Sequence, residues 1–126
     1  MAFVGPYKLL KKPILGCGTF GQVIRGEHRR TKEIVAAKRV MLDGSKENLE
    51  FTLKEVEVMK AAQGHPNVLN IVHDQVDESE TEYWIMTELC DLGNLSEYAT
   101  KTSLDNERKV DIMHQCANGL AYLHNL

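Results

Sequence analysis

Short-spaced cysteines are missing from this chain. Its three cysteines, Cys17, Cys90 and Cys116, are odd in number and far apart, which argues against a disulfide framework or a zinc knuckle and fits reduced thiols in a cytoplasmic protein. The five histidines show no H-E-x-x-H or similar spacing, so no metal site is expected from this chain alone. Basic runs are scarce too. Lysine and arginine number 15 against 18 acidic residues, for a net charge of -3, and the densest basic stretch is the short "EHRRTKE" turn, so no nucleic-acid partner is expected. No apolar run approaches a membrane span, and "MAFVGPYKLLKKP" lacks a signal-peptide core, so no membrane partner is expected either. The remainder, 126 residues of which 43% are hydrophobic, suits one soluble domain with a modest core.

Glycine, by contrast, is concentrated at one place. "LGCGTFGQVIRG", residues 15–26, holds Gly16, Gly18 and Gly21 beside a strand-like alternation. Glycine weakens an ordinary strand, so the cluster points to something that must approach the backbone closely, with phosphate the leading candidate. Dinucleotide-binding proteins also use G-x-G-x-x-G, but there the glycines turn from strand into helix. Here "QVIRGEH" continues as a strand. The loop therefore bridges two antiparallel strands and can close over phosphates as a flap, with Phe20 at its tip shielding them from water. A glycine-rich hairpin without a ligand is the plain alternative.

Periodicity divides the chain. "YKLLKKPIL", "GQVIRGEH", "EIVAAKRVML", "NVLNIVHDQV" and "TEYWIMTEL" read as five strands. "KENLEFTLKEVEVMKAAQG" interrupts them as a helix, with Leu49, Leu53, Val56 and Met59 at helical spacing and Gly64 and Pro66 as stop signals. After "CDLGN", a short helix at "LSEYATK" and a longer one through "DNERKVDIMHQCANGLAYLHNL" follow, the latter with Asp105 or Ser103 as N-cap. Val110, Met113, Ala117, Leu120 and His124 form a stripe on that helix. No further element is present to cover it, which predicts that the chain stops before its fold is complete.

Two charged residues stand on apolar faces. Ile34, Ala36, Lys38 and Val40 share one side of their strand while Arg39 points the other way. Ala36 is small and, with Val23 across the sheet, leaves room for a flat apolar group such as adenine. Lys38 snorkelling to solvent is the bland alternative. On the helix, Phe51, Glu55, Met59 and Ala62 fall on one stripe, with Lys54, Glu57 and Lys60 outside it. Glu55 is thus expected to face inward and meet Lys38 as a buried pair, whose disruption costs about 3–5 kcal/mol. A partly exposed helix edge is the competing position for Glu55.

Taken in order, the glycine loop, Val35-Ala36-Ala37-Lys38, Glu55 in "LKEVEVM", "GHPNVLNIV", "YWIMTELCDLGNL" and "GLAYLH" resemble the N-terminal lobe of a protein kinase. The resemblance implies an α+β fold: a five-stranded antiparallel sheet with one regulatory helix, followed by two helices of an incomplete C-lobe. Residues 1–89 would be the N-lobe, 90–94 the hinge and 95–126 the start of the helical C-lobe. It also implies ATP as ligand. Leu15, Gly16, Gly18, Phe20 and Gly21 would roof it, Lys38 would bind its α- and β-phosphates and pair with Glu55, and Val23 and Ala36 would sandwich adenine. Thr87 matches the residue guarding the back of the pocket. Glu88 C=O and Cys90 N–H would bond the adenine edge, and Asn94 stands where the family often has an acidic ribose contact. Met59 and Ile71 resemble two members of the family's internal hydrophobic spine.

The family's H-R-D-x-x-x-x-N and D-F-G strings do not occur in these residues, and His124 is not followed by Arg-Asp. No catalytic base and no Mg²⁺ ligand is therefore assigned here. The resemblance implies part of an ATP-dependent protein kinase acting on protein serine or threonine. By itself this chain would bind ATP weakly and transfer nothing, and Mg²⁺ would be held only by a complete domain. A kinase-like scaffold or binding module without catalysis is the second reading. A dinucleotide-binding enzyme is a distant third, which a helix over residues 22–30 would revive.

Overall fold

Alternating side chains and tight turns build six segments of the first 90 residues into one sheet. The computed structural model describes residues 2–18, 21–77 and 79–126. Its strands are β1 (Phe3–Val4), β2 (Tyr7–Gly18), β3 (Gly21–His28), β4 (Ile34–Met41), β5 (Ile71–Val76) and β6 (Glu82–Glu88). Helix α1 (Lys46–Ala61) lies between β4 and β5 in sequence, and α2 (Leu95–Lys101) and α3 (Asn106–His124) follow β6. All pairings are antiparallel, in the order β1-β2-β3-β4-β6-β5. The sheet thus has six strands where the sequence pattern predicts five. The addition is β1, folded back on β2 through a turn in which Gly5 adopts φ 53°; two residues are too short for a period-two pattern to reveal. The strand expected over 67–76 also starts late, at Ile71.

Register sorts the side chains into two faces. Ile24, Ala37 and Met86 stand side by side on one face, and with Val4, Tyr7, Leu9, Val35 and Trp84 they form a buried cluster. The first strands curl towards the last to enclose it. The Tyr7 ring lies 5.7 Å from His73, and a Cβ on Gly5 would stand 2.8 Å from His73 Nε2 and Gln75 Oε1. The sheet is therefore a half-barrel with its own interior.

Helix α1 covers part of the opposite face. Val56 packs with Ile71, Tyr83 and Ile85, joined by Val40, Leu42, Leu49 and Met59. Ser45 caps the helix by accepting the Asn48 N–H at 3.1 Å, and Asp43 in turn accepts the Ser45 N–H at 2.8 Å. The buried row runs through Thr52 and Val56, not through Phe51 and Glu55. Phe51 is 69% exposed, and Leu53 is also exposed. A polar residue occupies the buried row because the Thr52 hydroxyl donates to the Asn48 carbonyl at 3.1 Å and so needs no other partner.

Asp105 is the N-cap of α3, accepting the Arg108 N–H at 2.7 Å. One face of α3 docks on the segment between α1 and β5. Tyr122 Oη donates to the Gln63 carbonyl at 2.8 Å, its ring lies 4.9 Å from His65, and Gly119 is buried against Asn67. Val110, Met113 and Leu120, on the stripe singled out above, are exposed, as are Ala117 and His124. No described helix is long and apolar enough to cross a membrane.

Candidate nucleotide-binding site

The sheet face that α1 leaves open carries most of the residues singled out in the sequence. Pairing across β3, β4 and β6 sets Val23 beside Lys38 and Lys38 beside Ile85, and in the next row Arg25 beside Ala36 and Ala36 beside Thr87. Val23, Ala36, Lys38 and Thr87 are all half-buried, whereas Tyr83 and Ile85 under α1 are buried. The open part is thus a shallow floor: small at Ala36, apolar at Val23, cationic at Lys38.

The glycine segment is the β2–β3 hairpin. Gly16 opposes Val23, and Gly18 opposes Gly21. A helix over 22–30 is ruled out, because β3 covers those residues up to His28. Gly21 adopts φ 136°, and a Cβ there would stand 1.9 Å from the Arg39 carbonyl oxygen, so only glycine fits. At Gly16 the nearest atom to an added Cβ is Val23 Cβ at 4.0 Å. That strand is open to close approach. Leu15 is exposed beside it, and Phe20 lies outside the described residues.

Lys38 Nζ and Glu55 Oε1 face one another at 3.9 Å. Their side chains are 35% and 46% exposed, so the expected buried pair is a partly solvated one. Glu55 sits at the edge of the helix's buried row, next to Val56, and water screens the contact. Its own contribution to stability falls in the range of about 0–1 kcal/mol typical of exposed pairs. The cost of about 3–5 kcal/mol given above for a dry pair does not apply.

The connector after β6 is held from behind. Glu88 N donates to the Asn70 carbonyl at 3.1 Å, while Glu88 Oε1 accepts the Asn70 N–H at 3.0 Å. Thr87 Oγ1 donates to the Glu88 carbonyl at 3.3 Å. Cys90 is exposed and shares a groove with Cys116. Asn94 has a structural role as the cap of α2, accepting the Glu97 N–H at 2.8 Å and donating to Glu97 Oε1 at 3.0 Å. The N-x-x-E spacing is visible in the sequence, although Glu97 reaches the Asn94 side-chain amide and not the backbone N–H of a full capping box.

A second ionic group supports α1 from outside the open floor. Lys60 Nζ lies 2.7 Å from Asp74 Oδ1, and Tyr83 Oη donates to Asp74 Oδ2 at 2.5 Å. Burial pushes the Asp74 carboxyl up, but the Lys60 and Tyr83 hydrogen bonds and the Lys60 charge outweigh it, leaving it below the ordinary aspartate value. Burial, then the Asp74 carboxylate, push the Tyr83 phenol up. Helical spacing places Lys60 outside the helix's working face, and nothing in a single sequence pairs it with a strand residue 14 positions on.

A half-barrel sheet with one packed helix, extended by two further helices, is the arrangement of a protein kinase N-lobe with the first helices of a C-lobe. Residues 9–126 match the protein kinase domain, and the chain belongs to that family. It is similar to Cyclin-dependent kinase 9-A of Xenopus laevis, with 30% identity over 135 residues that cover 96% of this chain and 35% of that protein. Human Cyclin-dependent kinase 9 is 30% identical over 131 residues, covering 96% of this chain and 34% of that protein. Serine/threonine-protein kinase max-2 of Caenorhabditis elegans is 27% identical over 121 residues, 96% of this chain and 18% of that protein. The chain spans about a third or less of the length of these relatives.

Proposed function

We propose that this chain is the nucleotide-holding part of a protein kinase that transfers phosphoryl groups from ATP to serine or threonine of protein substrates in the cytoplasm. The carrying observation is the Lys38–Glu55 approach beside the glycine hairpin. The residues suit a nucleoside triphosphate. Gly16 and Gly21 let the hairpin backbone come near phosphate oxygens, with Leu15 and Gly18 beside them. Lys38 supplies a cation for the α- and β-phosphates, and Glu55 orients it. Ala36 and Val23 form an apolar bed for adenine, with Thr87 at its back, and Glu88 C=O and Cys90 N–H serve its edge. Asn94 would reach a ribose only by sharing an amide already engaged in capping α2. Mg²⁺, where a complete domain holds it, neutralises charge on the phosphates; no residue here is assigned to it.

The longest reading frame containing these residues decides between this reading and a non-catalytic scaffold. Downstream H-R-D and D-F-G strings, with phosphorylation of a generic serine/threonine substrate that Lys38→Met abolishes, are expected. A stop codon directly after Leu126 would defeat the enzyme reading. The 126-residue chain by itself is expected to bind Mg-ATP only weakly, because the other lobe of the family's cleft is not among its residues. Calorimetry returning micromolar affinity would overturn that expectation.

A further inference from the structure

The half-barrel has an open end on the face opposite Lys38. There a cavity of about 450 Å³ sits above Trp84, Ile24, Leu9 and Val4, which are 6%, 7%, 8% and 6% exposed and form its floor. That volume falls within the roughly 300–1,000 Å³ of small-ligand sites, and barrel mouths are a recurrent location for them. Phe3 stands at the rim, 48% exposed, so the apolar surface continues outwards.

The rim carries Lys11 and Arg39 against Asp77 and Glu82, so its charge sums to zero, but these groups differ in how they are engaged. Arg39 is bound to Glu82. Asp77 is occupied by its own turn, accepting from Ser79 Oγ, Thr81 N, Thr81 Oγ1 and Glu82 N. Lys11, exposed at the β2 side, has no such partner among the described residues. Asp77 follows β5, which the curl of the first strands brings towards β2, so it lines the same mouth as Lys11. With Asp77 engaged by its own turn, Lys11 is the rim cation left to draw a bound anion.

We propose that this mouth binds a small amphipathic anion, an aromatic or aliphatic body resting on Trp84 and Ile24 with one carboxylate or sulfonate at Lys11. The site is separate from the nucleotide floor. Gln22, Arg39 and Trp84 form one row of the sheet, while Val23, Lys38 and Ile85 form the adjacent row with side chains on the other face.

Trp84 is the chain's only tryptophan, so its indole N–H gives a single reporter in proton–nitrogen correlation spectra. The probe is 8-anilinonaphthalene-1-sulfonate, titrated into the full chain. A saturable shift of the Trp84 indole signal is expected, unchanged by excess Mg-ATP. Lys11→Glu, an exposed substitution, should weaken binding by about fivefold or more through reversal of a nearby charge. The neutral analogue N-phenyl-1-naphthylamine should bind more weakly and ignore that substitution. Leu120→Glu on the exposed face of α3 serves as the control for dye held elsewhere and should leave the Trp84 titration intact. An unmoved indole signal, equal affinity in Lys11→Glu, or loss of the shift in Leu120→Glu would each overturn the proposal.

Discussion

Gly21 is the residue whose identity the backbone dictates most strictly. Its φ of 136° and the 1.9 Å approach to a main-chain oxygen mean that even a methyl group must displace β4 or open the hairpin. Gly21→Ala should therefore lower unfolding free energy by more than about 2 kcal/mol, combining left-handed strain with a backbone clash. Gly44→Ala is the comparison, because Gly44 has φ 85° but nothing within 4 Å of an added Cβ. Strain alone predicts about 1–2 kcal/mol there. Urea unfolding of both variants checks the difference; equal losses would mean that the close approach carries no cost. At this scale the sequence was informative about direction and poor about depth. Strand alternation and helix spacing are enough to turn Lys38 and Glu55 towards each other, but exposure depends on which neighbours arrive from elsewhere. Phe51 shows the same limit: it is a large apolar residue one position before the buried Thr52, and it faces water.

Among the elements, α1 depends on charged anchors as well as apolar packing. Asp74 on β5 ties Lys60 of α1 to Tyr83 of β6, and Asp77 closes the β5–β6 turn. The Glu82 backbone N–H is the largest influence on Asp77; with bonds from Ser79 and Thr81, it pulls the carboxyl down to about 2 from 3.8. Asp74 is lowered too. A carboxyl whose folded value lies below its unfolded one stabilises the fold above the unfolded value and loses that contribution as pH falls through the folded one. Melting temperature should therefore hold near neutrality and fall between about pH 4 and pH 2, the interval Asp77 sets. Asp77→Asn should flatten that slope. Lys60→Met should reduce the Asp74 share and loosen α1, which faster amide exchange along Val56–Lys60 would register. A melting temperature independent of pH across this interval would contradict both assignments. The other strands were legible because each runs for six residues or more, by alternation or, in β6, as the continuous apolar run over residues 83–86; β1, with two, was not.

For the whole molecule, sequence order predicted which elements exist but not how they close. The curl that brings Gly5 to His73 and Gln75, and the insertion of β6 between β4 and β5, rest on contacts between distant residues that no local pattern encodes. Helix α3 illustrates both sides of this limit, because its two faces do different work. Val110, Met113 and Leu120 were legible as a stripe and are exposed at 65%, 70% and 54%. The docking face was not legible, since it is built from Gly119, Gln115 and Tyr122, which do not stand out in an apolar pattern. Substitutions on the two faces should separate cleanly. Val110→Glu with Met113→Glu removes exposed apolar surface, so it should reduce concentration-dependent self-association in sedimentation while leaving the melting temperature within about 2 °C, as surface changes near ±0.5 kcal/mol do. Gly119→Ala places a Cβ 2.8 Å from the Asn67 carbonyl oxygen, a main-chain atom that must move. It should lower stability without altering association. Tyr122→Phe, which removes the hydrogen bond to Gln63, should cost about 0.5–1.5 kcal/mol on the same face. If Gly119→Ala proved neutral while the stripe variant unfolded the chain, the orientation assigned to α3 would be reversed.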